Sequence, residues 1–199
     1  MKAIITGDIV NSREEDGKKW LKSLKDALGR YGNTTSDWEV YRGDSFQLRT
    51  SIEESLEACI YIKACIKMYT ALDARMAIGI GEVEPTVGKI TEDQGEAFHR
   101  SGQCFEVLKS KRLAIDTGND DYNRTLNLMF ELGLLTFDNW TKIDAQTLKT
   151  VLEFKEKTQQ EIAKKLNKSP STISFTLQKT GYKEIEKLLE YYKHSVSRL

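Results

Sequence analysis

One feature restricts the fold of this chain more than any other. It is a strand-like run that a turn signal interrupts near residue 43. The run is Val40-Tyr-Arg-Gly-Asp-Ser-Phe-Gln-Leu48, with apolar and aromatic residues on both sides of a glycine–aspartate pair. Glycine–aspartate is a favoured centre for a tight turn between two antiparallel strands. The pattern therefore predicts a β-hairpin. Most turns of this kind carry no chemistry, so a plain hairpin is the first interpretation.

Strand and helix patterns alternate on both sides of this hairpin. Residues Lys2–Thr6 form a short apolar run typical of a buried strand, and Arg75–Ile80 alternates its larger apolar residues as a strand does. Apolar residues recur at helical spacing before the hairpin at Leu21, Leu24, Leu28 and Tyr31, and after it at Ile52, Leu56, Ile60, Ala64 and Met68. The order is βαββαβ, the split βαβ arrangement of ferredoxin-like domains. The predicted fold class is therefore α+β.

Composition indicates an ordinary soluble globular protein. The chain has 39% hydrophobic and 30% charged residues, and no run approaches membrane-spanning length. Its first residues contain too few consecutive apolar residues before a charged one to form a signal peptide. We therefore expect a cytoplasmic protein without a membrane partner. The three cysteines, Cys59, Cys65 and Cys104, show no CxxC spacing, which predicts neither a disulfide framework nor a zinc site.

Charge is distributed unevenly and predicts two domains. Residues 1–140 carry 18 basic and 23 acidic residues, a net charge of −5, and residues 141–199 carry 12 and 7, a net charge of +5. A polar, turn-rich run, Asp116–Tyr122, would suit a linker. We therefore expect one domain at residues 1–116 and a helical domain at 117–199, the latter supported by apolar faces such as that formed by Leu126, Met129, Phe130, Leu132 and Leu135.

The predicted strand order brings two acidic residues together. The first strand is expected to lie beside the hairpin, so Asp8, just past that strand, could lie close to Asp44 in the turn. Two neighbouring carboxylates repel each other unless a cation lies between them. Hard oxygen ligands suit Mg²⁺ or Mn²⁺, which commonly bind together with nucleotide phosphates, and Gly7 and Gly43 would let phosphates approach the backbone.

Four motifs carry a family resemblance. They are Gly7-Asp-Ile-Val-Asn-Ser12, Arg42-Gly-Asp-Ser-Phe-Gln47, Arg75-Met-Ala-Ile-Gly-Ile-Gly-Glu82 and Gly95-Glu-Ala-Phe-His-Arg100. Their order and spacing resemble the catalytic domain of class III nucleotide cyclases, and the whole chain resembles the bacterial SatD family, in which a cyclase-like palm precedes a helix-turn-helix. The resemblance implies that Asp8 and Asp44 bind the metal with the backbone carbonyl of Ile9. Candidate nucleotide contacts are Gly7, Asn11, Ser12, Arg42, Gly43, His99 and Arg100.

The chain departs from the cyclase pattern at the residues that act on the nucleotide. Cyclases carry an asparagine and, four residues later, an arginine on the helix after the third motif, where this sequence has His99 and Gln103. Val40 replaces the lysine that selects the base. Cationic clamps of this kind stabilise the transition state of phosphoryl transfer, so their loss can leave metal binding intact while removing activity. Arg42 and Arg100 are the cations that could substitute.

The tail predicts a helix-turn-helix at residues 158–180. Ile162, Ala163 and Leu166 would form one inner face, and Ile173 and Leu177 the other. Asn167 can adopt the left-handed turn conformation, and Ser169 can cap the second helix with Pro170 in its first turn. The pattern resembles the tail of SatD-like proteins and region 4 of sigma factors.

The second of these helices is the candidate DNA-reading element. Its predicted DNA contacts, together with neighbouring lysines, are Lys164, Lys168, Ser169, Ser171, Thr172, Phe175, Gln178 and Lys179. Helix-turn-helix units also serve as packing or dimerisation elements, and that alternative stays open. The acidic last helix, with an apolar stripe at Ile185, Leu188 and Leu189, suits core or dimer packing and predicts a homodimer.

Three functions follow from these patterns. The first is a DNA-binding regulator whose palm binds a nucleotide with Mg²⁺ or Mn²⁺. The second is a metal-dependent nucleotidyl cyclase or transferase that uses its tail for location or partner binding. The third is a palm that has lost its ligand and serves only to dimerise.

Overall fold

The computed structural model describes residues 1–33, 35–84, 86 and 88–199, which form a mixed α+β structure. Within these ranges a five-stranded sheet packs with eight α-helices and a short 3₁₀ helix, Ile90–Glu92. The strands are β1 Lys2–Val10, β2 Trp38–Tyr41, β3 Ser45–Thr50, β4 Asp73–Gly81 and β5 Leu113–Asp116. The helices are α1 Gly17–Leu28, α2 Ser55–Lys67, α3 Glu96–Val107, α4 Asp120–Phe137, α5 Lys142–Glu153, α6 Gln159–Leu166, α7 Pro170–Lys179 and α8 Tyr182–Val196.

The sheet has the strand order β2-β3-β1-β4-β5. Strand β1 is central and pairs antiparallel with β3 on one side and with β4 on the other. Asp8 stands in register with Ser45 on β3 and with Arg75 on β4. The hairpin predicted around residue 43 is confirmed as β2 and β3, and its turn lies next to the end of β1.

The two faces of the sheet have different covers. Ile5, Ile78 and Leu48 point into the main core, against α1 and α2. The opposite face carries Ile4, which packs with Ile90 and Ala97, and Thr6, whose hydroxyl hydrogen-bonds Ser101 of α3 at 3.0 Å. Side chains alternate between the faces of a strand, so Asp8 lies on the same face as Thr6, the side covered by α3.

Strand β5, at the edge of the sheet, was not predicted from the sequence. It pairs parallel with β4, and α4 covers its outer edge. The side-chain amide of Asn127 accepts a hydrogen bond from the Ile115 N–H and donates one to the Ile115 carbonyl, both at 2.9 Å. One turn earlier, Asn123 accepts from the Thr117 N–H at 2.7 Å. These side chains replace a neighbouring strand, which protects an edge that would otherwise present unpaired backbone groups.

Helix α2 is the centre of the molecule. Every residue from Ser55 to Ile66 is buried, so the expectation of a single apolar face was too narrow. The sheet and α1 cover one side, and α5 and α8 cover the other. Tyr192 of α8 is fully buried and its hydroxyl hydrogen-bonds Ser55 at 2.6 Å. The core is therefore continuous across the boundary predicted at residues 116 and 117.

Ion pairs join the acidic front part to the basic tail. The buried Glu57 of α2 binds Lys155 at 2.6 Å and Lys193 at 4.0 Å. Glu153 of α5 accepts hydrogen bonds from Tyr61 at 2.5 Å and from Lys149 at 2.6 Å. Burial acts to raise the pKa of Glu153, but these two hydrogen bonds outweigh it and hold the pKa below its usual value. The contacts of Glu57 thus bring an acidic residue of the front part together with two lysines of the tail.

Helices α6 and α7 form a small separate core together with α5. It contains Val151, Ile162, Ala163, Ile173 and Leu177, which are all buried. The apolar face predicted for residues 126–135 is only partly confirmed. Leu126 and Phe130 are buried, but Leu132 and Leu135 are exposed because α4 turns that side away from the core. None of the helices in the described ranges combines the length and the apolar content that a membrane-spanning helix needs.

Candidate functional site

The first candidate site is the end of the sheet where Asp8 meets Arg75. The Arg75 guanidinium donates two hydrogen bonds to the Asp8 carboxylate, from Nε at 3.2 Å and from Nη2 at 2.5 Å. It also lies over the ring of Phe105 of α3, 4.6 Å from the ring centroid. Antiparallel register brings Arg75 and Asp8 together, and the aromatic ring holds the guanidinium on this face. Both side chains keep about a quarter of their surface exposed, so solvent can reach them.

The hairpin turn supplies the second carboxylate. Asp44 accepts a hydrogen bond from the Ser12 hydroxyl at 2.6 Å, and its backbone carbonyl accepts one from the Ile9 N–H at 3.1 Å. These bonds tie the segment after β1 to the turn. Asp8 and Asp44 therefore belong to neighbouring backbone segments, as predicted, although their carboxylates have different partners: Arg75 for Asp8 and Ser12 for Asp44.

The family resemblance implies three oxygen ligands at this edge, of which both oxygens of Asp8 already accept hydrogen bonds from Arg75. Besides the two carboxylates, the Ile9 carbonyl points towards the turn, because the N–H and C=O of one strand residue point to the same side. Across residues 1–33, 35–84, 86 and 88–199, no three His, Cys, Asp or Glu side chains form a group that could hold a metal ion. A cation here would therefore need further ligands, and phosphate oxygens are the ligands that Mg²⁺ commonly adds to one or two carboxylates.

The two glycines of the site have different roles. Gly43 has φ +94° and open space around a Cβ, so the turn conformation alone calls for glycine. Gly7 is buried, and a Cβ there would lie 2.5 Å from the Phe46 ring on the core face of the sheet. The structure therefore gives Gly7 a packing role, and the approach of a phosphate to its backbone finds no support in this geometry.

The other predicted nucleotide contacts are spread over the sheet. Asn11 has φ +61° and its side chain donates to the Ala71 carbonyl at 3.1 Å, so it shapes the end of β1. Arg42 is exposed in the turn with φ +53°. Burial raises the pKa of the neighbouring Tyr41, Arg42 lowers it, and the negative charge of Asp8 raises it further.

His99 and Arg100 lie on α3. A hydrogen bond from Arg100 to strand β4 shows where Arg100 lies along the sheet. Its guanidinium donates to the Ile80 carbonyl at 2.5 Å. Ile80 pairs with Ala3, five residues along β1 from Asp8, or about 16 Å at the rise of a strand. The structure does not bring Arg100 next to Asp8. His99 is exposed on the helix surface.

The second candidate site is the α6–α7 unit. Asn167 ends α6 in the left-handed conformation, with φ 52° and ψ 50°. The Ser169 hydroxyl then accepts a hydrogen bond from the Thr172 N–H at 3.1 Å, and Pro170 is the first residue of α7. The predicted turn residue, cap and helix start are all confirmed.

Helix α7 presents a polar and aromatic face to solvent. Ile173 and Leu177 point inward, and the residues predicted to contact DNA on this helix are exposed: Ser171, Thr172, Phe175, Gln178 and Lys179. Phe175 is 68% exposed, an unusual fraction for a large apolar side chain in a small domain. Lys164, Lys168 and Ser169 are exposed on the adjoining helix and turn.

Lys179 has a structural partner. Its ammonium group binds the buried Asp144 carboxylate of α5 at 2.7 Å. Asp144 also accepts a hydrogen bond from the Thr141 hydroxyl at 2.7 Å and from the Thr141 N–H, which completes the capping box of α5. Burial acts to raise the pKa of Asp144, but Lys179 and Thr141 outweigh it, and the pKa lies below its usual value. Lys179 therefore anchors α7 to α5.

The roles of Arg75, Phe105 and the Asp144–Lys179 pair were not predicted from the sequence. Arg75 carried a signal, since a charged residue inside a strand pattern needs a partner on the same face. Its pairing with Asp8 depends on register, which no local pattern specifies. Comparison with models of protein families, with curated proteins and with solved structures gave no match.

Proposed function

We propose that the protein is a DNA-binding regulator in which a ferredoxin-like, cyclase-like palm binds a nucleotide with Mg²⁺ or Mn²⁺, and the α6–α7 unit is a DNA-binding helix-turn-helix. The observation that carries the proposal is the solvent-facing surface of α7. A helix that follows a tight left-handed turn and keeps hydroxyl, amide and aromatic side chains exposed has the shape and chemistry to enter a major groove.

Charge supports the same interpretation. Residues 158–180 contain Lys164, Lys165, Lys168 and Lys179 but only one acidic residue, Glu161. Glu161 is used within the unit, because its carboxylate accepts hydrogen bonds from the Thr158 N–H at 2.8 Å and hydroxyl at 2.9 Å. Lys164 and Lys168 are the proposed phosphate contacts. Lys179 is not, since its ammonium group already binds Asp144 at 2.7 Å.

Fluorescence anisotropy with a randomised duplex pool at several salt concentrations tests this proposal. Replacing Lys164 or Lys168 by alanine should weaken binding equally on all sequences and reduce the salt slope by about one unit for each phosphate that the variant no longer neutralises. Gln178→Ala, which removes the proposed base-edge contact, should cost about 1–3 kcal/mol on the preferred site and leave the salt slope nearly unchanged. Lys22→Ala, on α1, is the matched control. If the folded wild-type protein does not bind DNA even at low salt, the proposal is contradicted.

The palm is the proposed regulatory half, and the Asp8–Arg75 pair favours a phosphate-containing ligand. Asp8, Asp44 and the Ile9 carbonyl would hold the cation. When bound, the metal would supply charge neutralisation for the phosphates. Arg75 binds both oxygens of Asp8 in the structure, so a metal ion at Asp8 requires the guanidinium, which lies over Phe105, to turn from Asp8 to a phosphate. A guanidinium donates pairs of hydrogen bonds to phosphate as well as to carboxylate.

Calorimetric titration tests the palm separately. ATP and GTP should each be tried with Mg²⁺, with Mn²⁺ and with a chelator, against wild type, Asp8→Asn, Asp44→Asn and Arg75→Gln. We expect binding only with metal, and its loss in both aspartate variants, because each removes a ligand of the cation. Asp26→Asn, an exposed acidic residue of α1, is the control. Binding that needs no metal, or that survives in both aspartate variants, contradicts the shared site.

Product analysis of the same samples separates a sensor from an enzyme. A nucleotide that is bound and recovered unchanged supports the regulatory role. Conversion to a cyclic nucleotide or release of pyrophosphate would favour the alternative, a metal-dependent cyclase or transferase with a targeting tail. A palm that binds no nucleotide under any condition would favour the third function, a palm used only for dimerisation.

A further inference from the structure

The Arg75 guanidinium is held at the Asp8 end of the sheet by contacts from three elements. It donates to both oxygens of the Asp8 carboxylate on β1, at 3.2 Å from Nε and at 2.5 Å from Nη2. It lies over the ring of Phe105 on α3, with 4.6 Å between Cζ and the ring centroid. The backbone carbonyl of Lys109, in the loop before β5, accepts a hydrogen bond from Nη1 at 3.5 Å. Arg75 therefore has a defined place beside Asp8.

This arrangement disagrees with a metal site that is ready to bind a free cation. The family resemblance makes Asp8 a metal ligand, whereas the fold gives both oxygens of Asp8 an arginine partner. Each carboxylate oxygen has a second lone pair, but a divalent cation placed there would stand beside the positive charge of the guanidinium. Like charges at such short range repel each other. Free metal at Asp8 therefore has to displace Arg75.

Displacing Arg75 is unfavourable without a new partner for it. The guanidinium is only 27% exposed, so water replaces the lost carboxylate incompletely. Asp44 offers the metal little in return, because its Oδ2 already accepts a hydrogen bond from Ser12 at 2.6 Å. A phosphate changes this balance, since a guanidinium donates pairs of hydrogen bonds to phosphate as it does to carboxylate. With phosphate present, Arg75 exchanges one anionic partner for another and no charge is left unpaired.

We propose that Arg75 is a built-in counter-ion that keeps free divalent metal away from Asp8, so that metal binds there only together with a phosphate-containing ligand. This role rests on the proposed function, which places the cation at Asp8. It differs from the role of a permanent phosphate clamp in the sign of one effect. Loss of a clamp leaves the affinity for free metal unchanged, whereas loss of the counter-ion raises it.

Titration of Mn²⁺ with the full chain, followed by electron paramagnetic resonance without nucleotide, tests the role of Arg75. Arg75→Met removes the charge and keeps a long side chain against Phe105. We expect this variant to bind Mn²⁺ at least about fivefold more tightly than wild type, the lower end of the usual coupling between two ligands. Arg112→Met is the matched control, because Arg112 is also 27% exposed and its Nε lies 3.9 Å from Asp73. An equal gain in the control, or no gain in Arg75→Met, overturns the proposal.

A double variant shows where the added Mn²⁺ binds. Arg75→Met combined with Asp8→Asn should lose the gain, because the amide is a much weaker ligand than the carboxylate. A gain that survives in the double variant contradicts the proposal. Calorimetric titration of wild type with ATP and Mn²⁺ decides the proposed function separately. ATP binding that needs Mn²⁺, with no gain in Arg75→Met, overturns only the counter-ion role. A gain in Arg75→Met without any ATP binding by wild type supports the block of Asp8 and overturns the nucleotide function.

Discussion

The α6–α7 unit and the Asp8 end of the sheet are built from contacts of very different sequence separation. Asn167, Ser169 and Thr172 make the turn from neighbours within a few residues, with the Ser169 cap bonding only three residues ahead. Asp8 is 67 residues from Arg75, and Ser12 is 32 residues from Asp44. Local backbone chemistry therefore defines the first site, whereas strand register defines the second. Substitutions in the two regions should differ in how far their effects spread.

The largest expected effect comes from the small core of the α6–α7 unit. Ile173→Ala removes a fully buried side chain and should lower the free energy of unfolding by about 2–5 kcal/mol, through reduced burial and the cavity left behind. Chemical denaturation measures the loss, with the exposed neighbour Ser174→Ala as control. Hydrogen exchange then shows which part of the protein loses stability. We expect amides of α6 and α7 to lose protection while those of β1 and β4 keep theirs. An equal loss of amide protection in the sheet would contradict the expected difference between the two regions.

A smaller effect is expected from a long-range contact in the sheet. Gly7→Ala places a Cβ 2.5 Å from the Phe46 ring and 2.9 Å from the Arg75 carbonyl, and such overpacking typically costs about 1–3 kcal/mol. Gly102→Ala is the control, because a Cβ at that helical position meets nothing within 4 Å and should be neutral or slightly stabilising. Phe46→Leu should restore part of the loss in the double variant. Purely additive losses, measured by denaturation, would show that the ring is not the obstacle.

The turn between α6 and α7 should respond to backbone conformation alone. Asn167→Ala keeps a Cβ in the left-handed region without the local hydrogen bonding of asparagine and should cost about 1–2 kcal/mol. Asn167→Gly should stay close to wild type, since glycine adopts this conformation readily. Thermal unfolding of both variants gives the comparison. If glycine costs as much as alanine, the Asn167 side chain has a role beyond the turn.

The smallest effect is the pH dependence of the Asp144–Lys179 link. The pKa of Asp144 lies below its usual value in the folded protein, so the link stabilises the fold above the unfolded pKa of about 3.9. This contribution is lost as pH falls through the lower, folded pKa. The stability difference between wild type and Asp144→Asn should thus be constant from about pH 6 to pH 8 and shrink below about pH 4. Denaturation midpoints at each pH test this, and a difference that persists in acid would contradict it.

Several parts of the fold could be predicted because their signals are local. The hairpin at residue 43 and the cap and turn of α6–α7 follow from backbone preferences of a few residues. Strand β5 escaped prediction, because its four residues depend on β4 and on the Asn123 and Asn127 side chains for pairing. The exposure of Leu132 and Leu135 could not be predicted for a related reason. Apolar spacing identifies a face of a helix but not what lies against that face.

In the candidate sites, too, some features have local sequence signals and others depend on tertiary contacts. The sequence indicated that Asp8 would follow the first strand and Asp44 would lie in the hairpin turn, and the exposed residues of α7 could be named from helical spacing. Only the tertiary structure decided that Asp8 pairs with Arg75, that Gly7 makes room for Phe46, and that Lys179 is held by Asp144.

What the sequence by itself determined are the features that a few consecutive residues control: turns, caps, helix faces and the order of the elements. What the tertiary structure alone decided are partners and exposure. Helix α2 illustrates the difference, since its sequence is apolar enough for one buried face, yet the sheet and helices α1, α5 and α8 together bury it on every side. The reason is physical. Local preferences act through backbone sterics and hydrogen bonds within a turn, whereas pairing depends on which distant surfaces exclude water together.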